Sequence, residues 1–241
     1  MKRHVDMLNG PLLSSIIRYT VPIMLTSLLQ LLFNAADLVV VGRFCGSIFV
    51  GAVSATNAIT NLIINLFIGL SVGAGVTVAH GLGGKNHEEV HRTVHTALLT
   101  ALLGGAILSI IGVVFSKEFL TLMGTPDNVL PHSTLYMRIY FCGMIFSMVY
   151  NFCSSILRAA GDTKSPLIYL TIAGVINVVL NCIFVTVFKM NVDGVALATI
   201  ISQCISSILV VIALMRRTDS CRLILGRIRF YKKPLGKIIR I

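Results

Sequence analysis

Six long apolar runs, separated by short polar stretches, set the pattern of this chain at roughly residues 15–41, 51–79, 94–115, 134–156, 165–188 and 192–215. A bilayer core ~30 Å thick takes about 20 apolar residues per helix, so each run is long enough to cross once. The runs are continuous rather than alternating, whereas a strand of a membrane barrel alternates over ~10 residues between turns. The pattern therefore predicts an all-α integral membrane protein of six transmembrane helices. It divides into a flank at 1–14, a six-helix unit at 15–215 and a polar segment at 216–241.

Polar residues inside the runs fall at helical spacing. Gln30, Asn34 and Asp37 lie four and three apart in the first run, and Ser54, Asn57, Asn61 and Asn65 repeat the device in the second. Asn177 and Asn181 share a face of the fifth, and Thr199, Gln203 and Ser206 share one of the sixth. Such faces are costly against lipid, and the expected packing turns all four toward one hydrated cavity. Asp37 is the one acid in the interior of any run, Asp193 standing at the outer start of the sixth. Desolvation disfavours its charged form, which makes cation or proton uptake a candidate coupling event. Pro22 removes a backbone hydrogen bond in the first helix and is a candidate hinge. Gly69, Gly73 and Thr77, with Ala97, Ala101 and Gly105, read as close helix packing.

The net charge of +11 would suggest nucleic acid if it were not so unevenly distributed. With the amino terminus placed in the cytoplasm, inner segments hold fifteen of the twenty basic residues and outer loops only Arg43, Lys117 and Lys189. That is the positive-inside bias of a multi-pass protein of the cytoplasmic membrane, and no nucleic-acid partner is expected. The run from Leu12 exceeds a signal-peptide core and is expected to stay as an anchor. Six cysteines without CxxC spacing read as small membrane-compatible side chains. The basic segment after Arg216, interleaved with Leu223, Ile224, Leu225, Ile228, Phe230, Ile238 and Ile239, reads either as a helix on the anionic inner leaflet or as a solvated linker.

One motif points elsewhere. His87-Glu-Glu-Val-His91 spells the HExxH zinc-protease signature. It follows a Gly-rich stretch from Gly81 to Asn86, no further His fits the longer metzincin spacing, and Glu118 would sit across the membrane. The expected reading is a charged loop without metal. Gly83-Gly-Lys85 likewise lacks the spacing of a phosphate-binding loop.

Several segments carry a family resemblance: Pro22, Asn34-Ala-Ala-Asp37 to Val41-Gly42-Arg43, Gly69-Leu-Ser-Val-Gly73 leading to Gly81 and Gly84, Leu157-Arg-Ala-Ala-Gly161-Asp-Thr-Lys164-Ser-Pro166, Asn177-Val-Val-Leu-Asn181, and Gly194-Val-Ala-Leu-Ala-Thr199. Along essentially its whole length the chain resembles the MATE (multidrug and toxic compound extrusion) family. The resemblance implies one lobe of a twelve-helix secondary transporter, not an enzyme. Such a protein exports drugs, organic cations or metabolites against an inward flow of H+ or Na+, without a cofactor. It also implies that Asp37 belongs to the cation site, with Asn34, Asn177, Asn181 and Thr199 around it. Gln30, Asn57, Asn61, Asn65 and Gln203 are then expected to line the cavity. Some members carry a second acid where Asn181 stands here. The second lobe is expected either beyond Ile241 or from a second half-size chain. Two readings compete: a lipid-linked saccharide flippase, which would place several basic residues in the cavity where only Arg18 and Arg138 lie within runs, and an intramembrane zinc protease.

Overall fold

The computed structural model describes residues 12–224, 226 and 229–240. Calls on residues 1–11, which hold Lys2, Arg3 and Asp6, and on Leu225, Arg227, Ile228 and Ile241 lie outside the described residues.

The described residues form helices and no strand. They are α1 (Leu12–Phe44), α2 (Ser47–Gly83), α3 (His87–Leu122), α4 (Leu130–Cys142), α5 (Met144–Ala159), α6 (Lys164–Cys182) continuing as a π-helical turn (Ile183–Val187), α7 (Val192–Met215) and α8 (Lys232–Arg240). Five of these are long and apolar enough to cross a membrane, and the α4–α5 pair, bent by 47°, is long and apolar enough to make a sixth if it is taken as one broken span. Leu31, Leu62, Leu66 and Ile110 are among the large apolar side chains left open on the surface.

The bend falls at Gly143. Its amide bonds to the Tyr140 carbonyl at 3.0 Å, a tighter turn than the α-helical one, and a Cβ there would come within 2.7 Å of Ile200 Cγ1 on α7. A glycine at the break therefore lets α7 approach closely. The continuous fourth run of the sequence becomes two helices for this reason.

Helices α2 and α3 run well past the apolar positions that predict them. Asn86 caps α3, its side chain accepting from the Glu89 amide at 3.1 Å and donating to the Glu89 carboxylate at 3.1 Å. Glu88 and Glu89 place negative charge on the first turn. The HExxH stretch is thus the opening of a helix, a correction to the charged loop expected for it. A capping residue and acidic first turn outweigh local polarity.

Between α5 and α6, Gly161 adopts φ +82°, a left-handed conformation, and the Asp162 amide bonds to the Leu157 carbonyl at 2.9 Å. This is a glycine-terminated helix end. Asp162 then accepts from the Ser165 amide at 3.0 Å and hydroxyl at 2.7 Å, starting α6.

The core has two centres. Phe141, Met144, Met148, Phe152 and Ile156 lead the larger, in which α5 packs against α3, α2 and α7. Val40, Val41, Val53, Val185, Val195 and Tyr136 form the smaller, at the end of the bundle where α1 turns into α2. At the opposite end, residues after α7 fold back onto the bundle. Cys221, Leu223 and Ile238 are buried, and α8 packs on α2 and α3. A Cβ on Gly73 would stand 2.5 Å from the Ile238 carbonyl oxygen, so α2 and α8 touch backbone to backbone. For the buried Leu223 and Ile238 the leaflet and solvated-linker readings are both corrected, since they find partners in the bundle, whereas Phe230 stays exposed.

Candidate functional site

Asp37 sits on α1 beside the smaller core, 8% exposed. Burying a carboxylate is tolerated only with hydrogen-bond partners, and α6 supplies one: Asn181 Nδ2 donates to Asp37 Oδ1. The same amide donates to Asn177 Oδ1 at 3.2 Å, and Asn177 Nδ2 reaches Thr199 Oγ1 on α7 at 3.4 Å. The Thr199 hydroxyl itself donates to the Val195 carbonyl at 2.9 Å and lies within hydrogen-bonding reach of Asp37. One chain of contacts therefore ties α1, α6 and α7 through Asp37, Asn181, Asn177 and Thr199.

Close approach of α1 and α6 makes this geometry available. Gly174 lies seven residues before Asn181, and Phe33 four before Asp37. A Cβ on Gly174 would come within 2.0 Å of the Phe33 ring, so the bare glycine seats the aromatic ring and brings the acid and the amide together. Just beyond Asn181 the helix widens into its π turn, with the Phe188 amide bonded to the Ile183 carbonyl at 3.2 Å. Pro22 lies inside a continuous α1, and the Thr26 hydroxyl donates to the Pro22 carbonyl at 2.7 Å.

Asn181 is fully buried, and among the described residues its Oδ1 has no hydrogen-bond partner. An orphaned carbonyl oxygen, an adjacent carboxylate, a second amide and a hydroxyl make a set of hard oxygen atoms. That donor chemistry suits a proton or a small hard cation and is poorly matched to a soft metal.

The sequence pattern misses two aromatic groups here. Tyr136 and Tyr140 on α4 are one helical turn apart, with ring centroids 6.1 Å from each other. Both lie within electrostatic reach of Asp37, and Gln203 on α7 is within hydrogen-bonding reach of the Tyr140 hydroxyl. Their four-residue spacing was the available signal, but an aromatic ring counts as apolar in a hydropathy pattern.

The expectation of four polar faces around one cavity within the unit is corrected. Asp37, Asn177 and Asn181 are buried, while Thr199 and Gln203 are partly so; Gln30, Asn34, Ser54, Asn57, Asn61 and Asn65 are exposed. Helix α1 packs chiefly on α6 and meets α2 and α7 lightly. Asn34 is about 60° around the helix from Asp37 at 100° per residue, enough to leave the α6 contact. Helical spacing shows that residues share a face; it does not show what that face meets.

His87, the first histidine of the HExxH stretch, and His95, one turn beyond the motif, are engaged by the segment after α7. His87 Nδ1 pairs with the Ser220 hydroxyl at 2.5 Å. The fully buried His95 has Nδ1 2.7 Å from the His91 carbonyl and Nε2 3.1 Å from both the amide and the carbonyl of Ile224; with Nδ1–H donating to His91, Nε2 accepts from the Ile224 amide. Arg92 lies over the Tyr231 ring at 5.4 Å, and Lys237 pairs with Glu89. Among the described residues, no three metal-ligating side chains gather.

Comparison with known proteins places this geometry in a family. The MatE family model matches residues 22–183. The "Probable multidrug resistance protein YpnP" of Bacillus subtilis (strain 168) is 33% identical over 199 residues, a match covering 82% of this chain and 44% of that protein. The "Multidrug export protein MepA" of Staphylococcus saprophyticus is 23% identical, covering 92% of this chain and 49% of that protein. A crystal structure described as MATE in the bent conformation superposes with a TM-score of 0.91 at 25% identity, over 100% of this chain and 54% of the other. The chain thus spans about half the length of the relatives it matches.

Proposed function

This chain belongs to the MatE family, and from that premise we propose that it is one lobe of a cation-coupled exporter of small organic substrates. The observation that carries the reading is the buried Asp37 held by Asn181 against a carbonyl oxygen without a partner. Binding H+ or Na+ at Asp37 changes what Asn181 can offer the carboxylate, and so changes how α1 fits on α6. A proton on Asp37 would turn it from acceptor to donor, with the free Asn181 oxygen as its natural target. A sodium ion would take the same oxygens as ligands.

The open amide face of Gln30, Asn34, Asn57, Asn61 and Asn65 is the second part of the proposal. Exposed amides are costly against lipid, whereas a wet cleft between two lobes suits them. Alternating access works by one half rocking against another around a central site, so this face is assigned to the cleft and its opposite wall to a carboxy-terminal lobe or a second half-size chain. Drugs and organic cations fit an amide-lined, uncharged wall. The positive-inside bias supports a multi-pass lobe of the cytoplasmic membrane with its amino terminus in the cytoplasm. Pro22 is the proposed hinge of α1.

The test is efflux of a cationic dye from cells producing this lobe together with its second half. Efflux should collapse with the proton or sodium gradient and with Asp37→Asn. Efflux that keeps its gradient dependence after Asp37→Asn would remove Asp37 from the coupling site. Whether Na+ or acid stabilises the detergent-solubilised chain, and whether Asp37→Asn abolishes that effect, identifies the coupling ion.

A further inference from the structure

Arg18 is one of two basic residues inside the predicted runs, and the coupling site does not use it. It lines a cavity of about 570 Å³ together with Leu13, Ser14, Ile17, Val21, Pro22 and Lys164. Two ridges of α1 form one wall. Leu13, Ile17 and Val21 recur every four residues as an apolar ridge, and Ser14 and Arg18 form a polar ridge beside it. Lys164, the first residue of α6, faces them from across the gap.

Neither cation is neutralised within the described residues. The ion pairs found there join Arg92 to Glu88, Arg217 to Asp219 and Lys237 to Glu89. The nearby acid of the α5–α6 turn, Asp162, is occupied by Ser165. A third cation, Arg158, stands within electrostatic reach of Tyr19, the neighbour of Arg18, and its Nε is buried without a hydrogen-bond partner. This end of the α1–α6 pair thus holds an excess of positive charge beside a cavity with an apolar ridge on one wall.

We propose that this cavity binds an anionic glycerophospholipid, the phosphate held between Arg18 and Lys164 and an acyl chain lying along Leu13, Ile17 and Val21. Two cations without an acidic partner among the described residues suit an anion, and the apolar ridge suits a hydrocarbon continuous with it. A headgroup phosphate with its acyl chain satisfies both. The basic residues meet the phosphate at the membrane boundary, where long cationic side chains reach outward from apolar stems. The proposal rests on the lobe being embedded with this end at the basic face of the membrane. It is independent of Asp37 and of transport.

Native mass spectrometry of the purified chain in detergent, titrated with phosphatidylglycerol or phosphatidylcholine, tests the site. Phosphatidylglycerol should bind more tightly than phosphatidylcholine. Arg18→Gln with Lys164→Gln should weaken it about thirty-fold, the combined effect of two basic contacts. Arg18→Lys with Lys164→Arg should retain binding, and so should Asp37→Asn, which separates this site from the coupling reading. Equal binding of the two lipids by the wild-type chain overturns the proposal even if the Gln variants fail to fold. Undiminished phosphatidylglycerol binding by folded Gln variants also overturns it, as does inorganic phosphate or glycerol phosphate competing as well as the intact lipid, since that would mean a soluble-anion site.

Discussion

Replacing Gly174 by alanine puts a methyl carbon 2.0 Å from Cε2 and Cζ of Phe33 and 2.5 Å from Cδ2. Carbon atoms pack comfortably at about 3.5–4.0 Å, so ring or helix must yield by roughly 1.5 Å. Overpacking of this kind costs ~1–3 kcal/mol. If α1 moves rather than the ring, Asp37 leaves Asn181 by the same amount, which takes their contact beyond hydrogen-bonding distance and adds ~1.5–3 kcal/mol for a bond to a charged group. Gly174→Ala, Phe33→Ala and the double variant form a cycle, read by equilibrium unfolding in detergent micelles. Phe33→Ala removes the ring that the new methyl strikes, so the double variant should be more stable than the sum of the single losses implies, with a coupling of at least ~1 kcal/mol. Additivity within ~0.5 kcal/mol, or a Gly174→Ala protein as stable as wild type, would refute the claim that this contact seats α1 on α6.

Other contacts give equally direct tests. Gly73→Ala drives a methyl into the Ile238 carbonyl, a backbone group that cannot rotate away, so α8 should lift and trypsin should cut after Arg229 and Lys237 at least about tenfold faster; unchanged cutting would place α8's hold elsewhere. His95→Ala strips the Ile224 amide of its acceptor and should lower stability by ~1–3 kcal/mol, measurable by thermal unfolding. The Cys221 thiol, outside the spanning helices, is pushed up to about 12, first by desolvation on burial and then by the Asp219 charge. Because the thiolate is the reactive form, its alkylation in the folded chain should keep rising about tenfold per pH unit above pH 9, whereas an ordinary thiol levels off near its pKa of ~8.5. A plateau near pH 9 in the folded protein would contradict that environment.

Much of the fold was legible because a bilayer imposes a length and a polarity on whatever crosses it. Six apolar runs could only be spanning helices, and an acid among them demanded partners. The break at Gly143 was hidden, since a glycine in an apolar run reads the same whether the helix bends there or passes straight through. The course of α8 was hidden too. Its basic and apolar residues suit a lipid surface as well as a protein groove, and the choice fell to Gly73 on a helix distant in sequence.

At the candidate site the same division holds. Helical spacing alone put Asp37, Asn177, Asn181 and Thr199 on definite faces of their helices, because 3.6 residues per turn is a local property. That Asn181 meets Asp37 while Asn34, three residues before the acid, faces outward depends on how closely α1 sits against α6. Phe33 against Gly174 decides that distance. Such contacts join residues more than a hundred positions apart, and no local period encodes them.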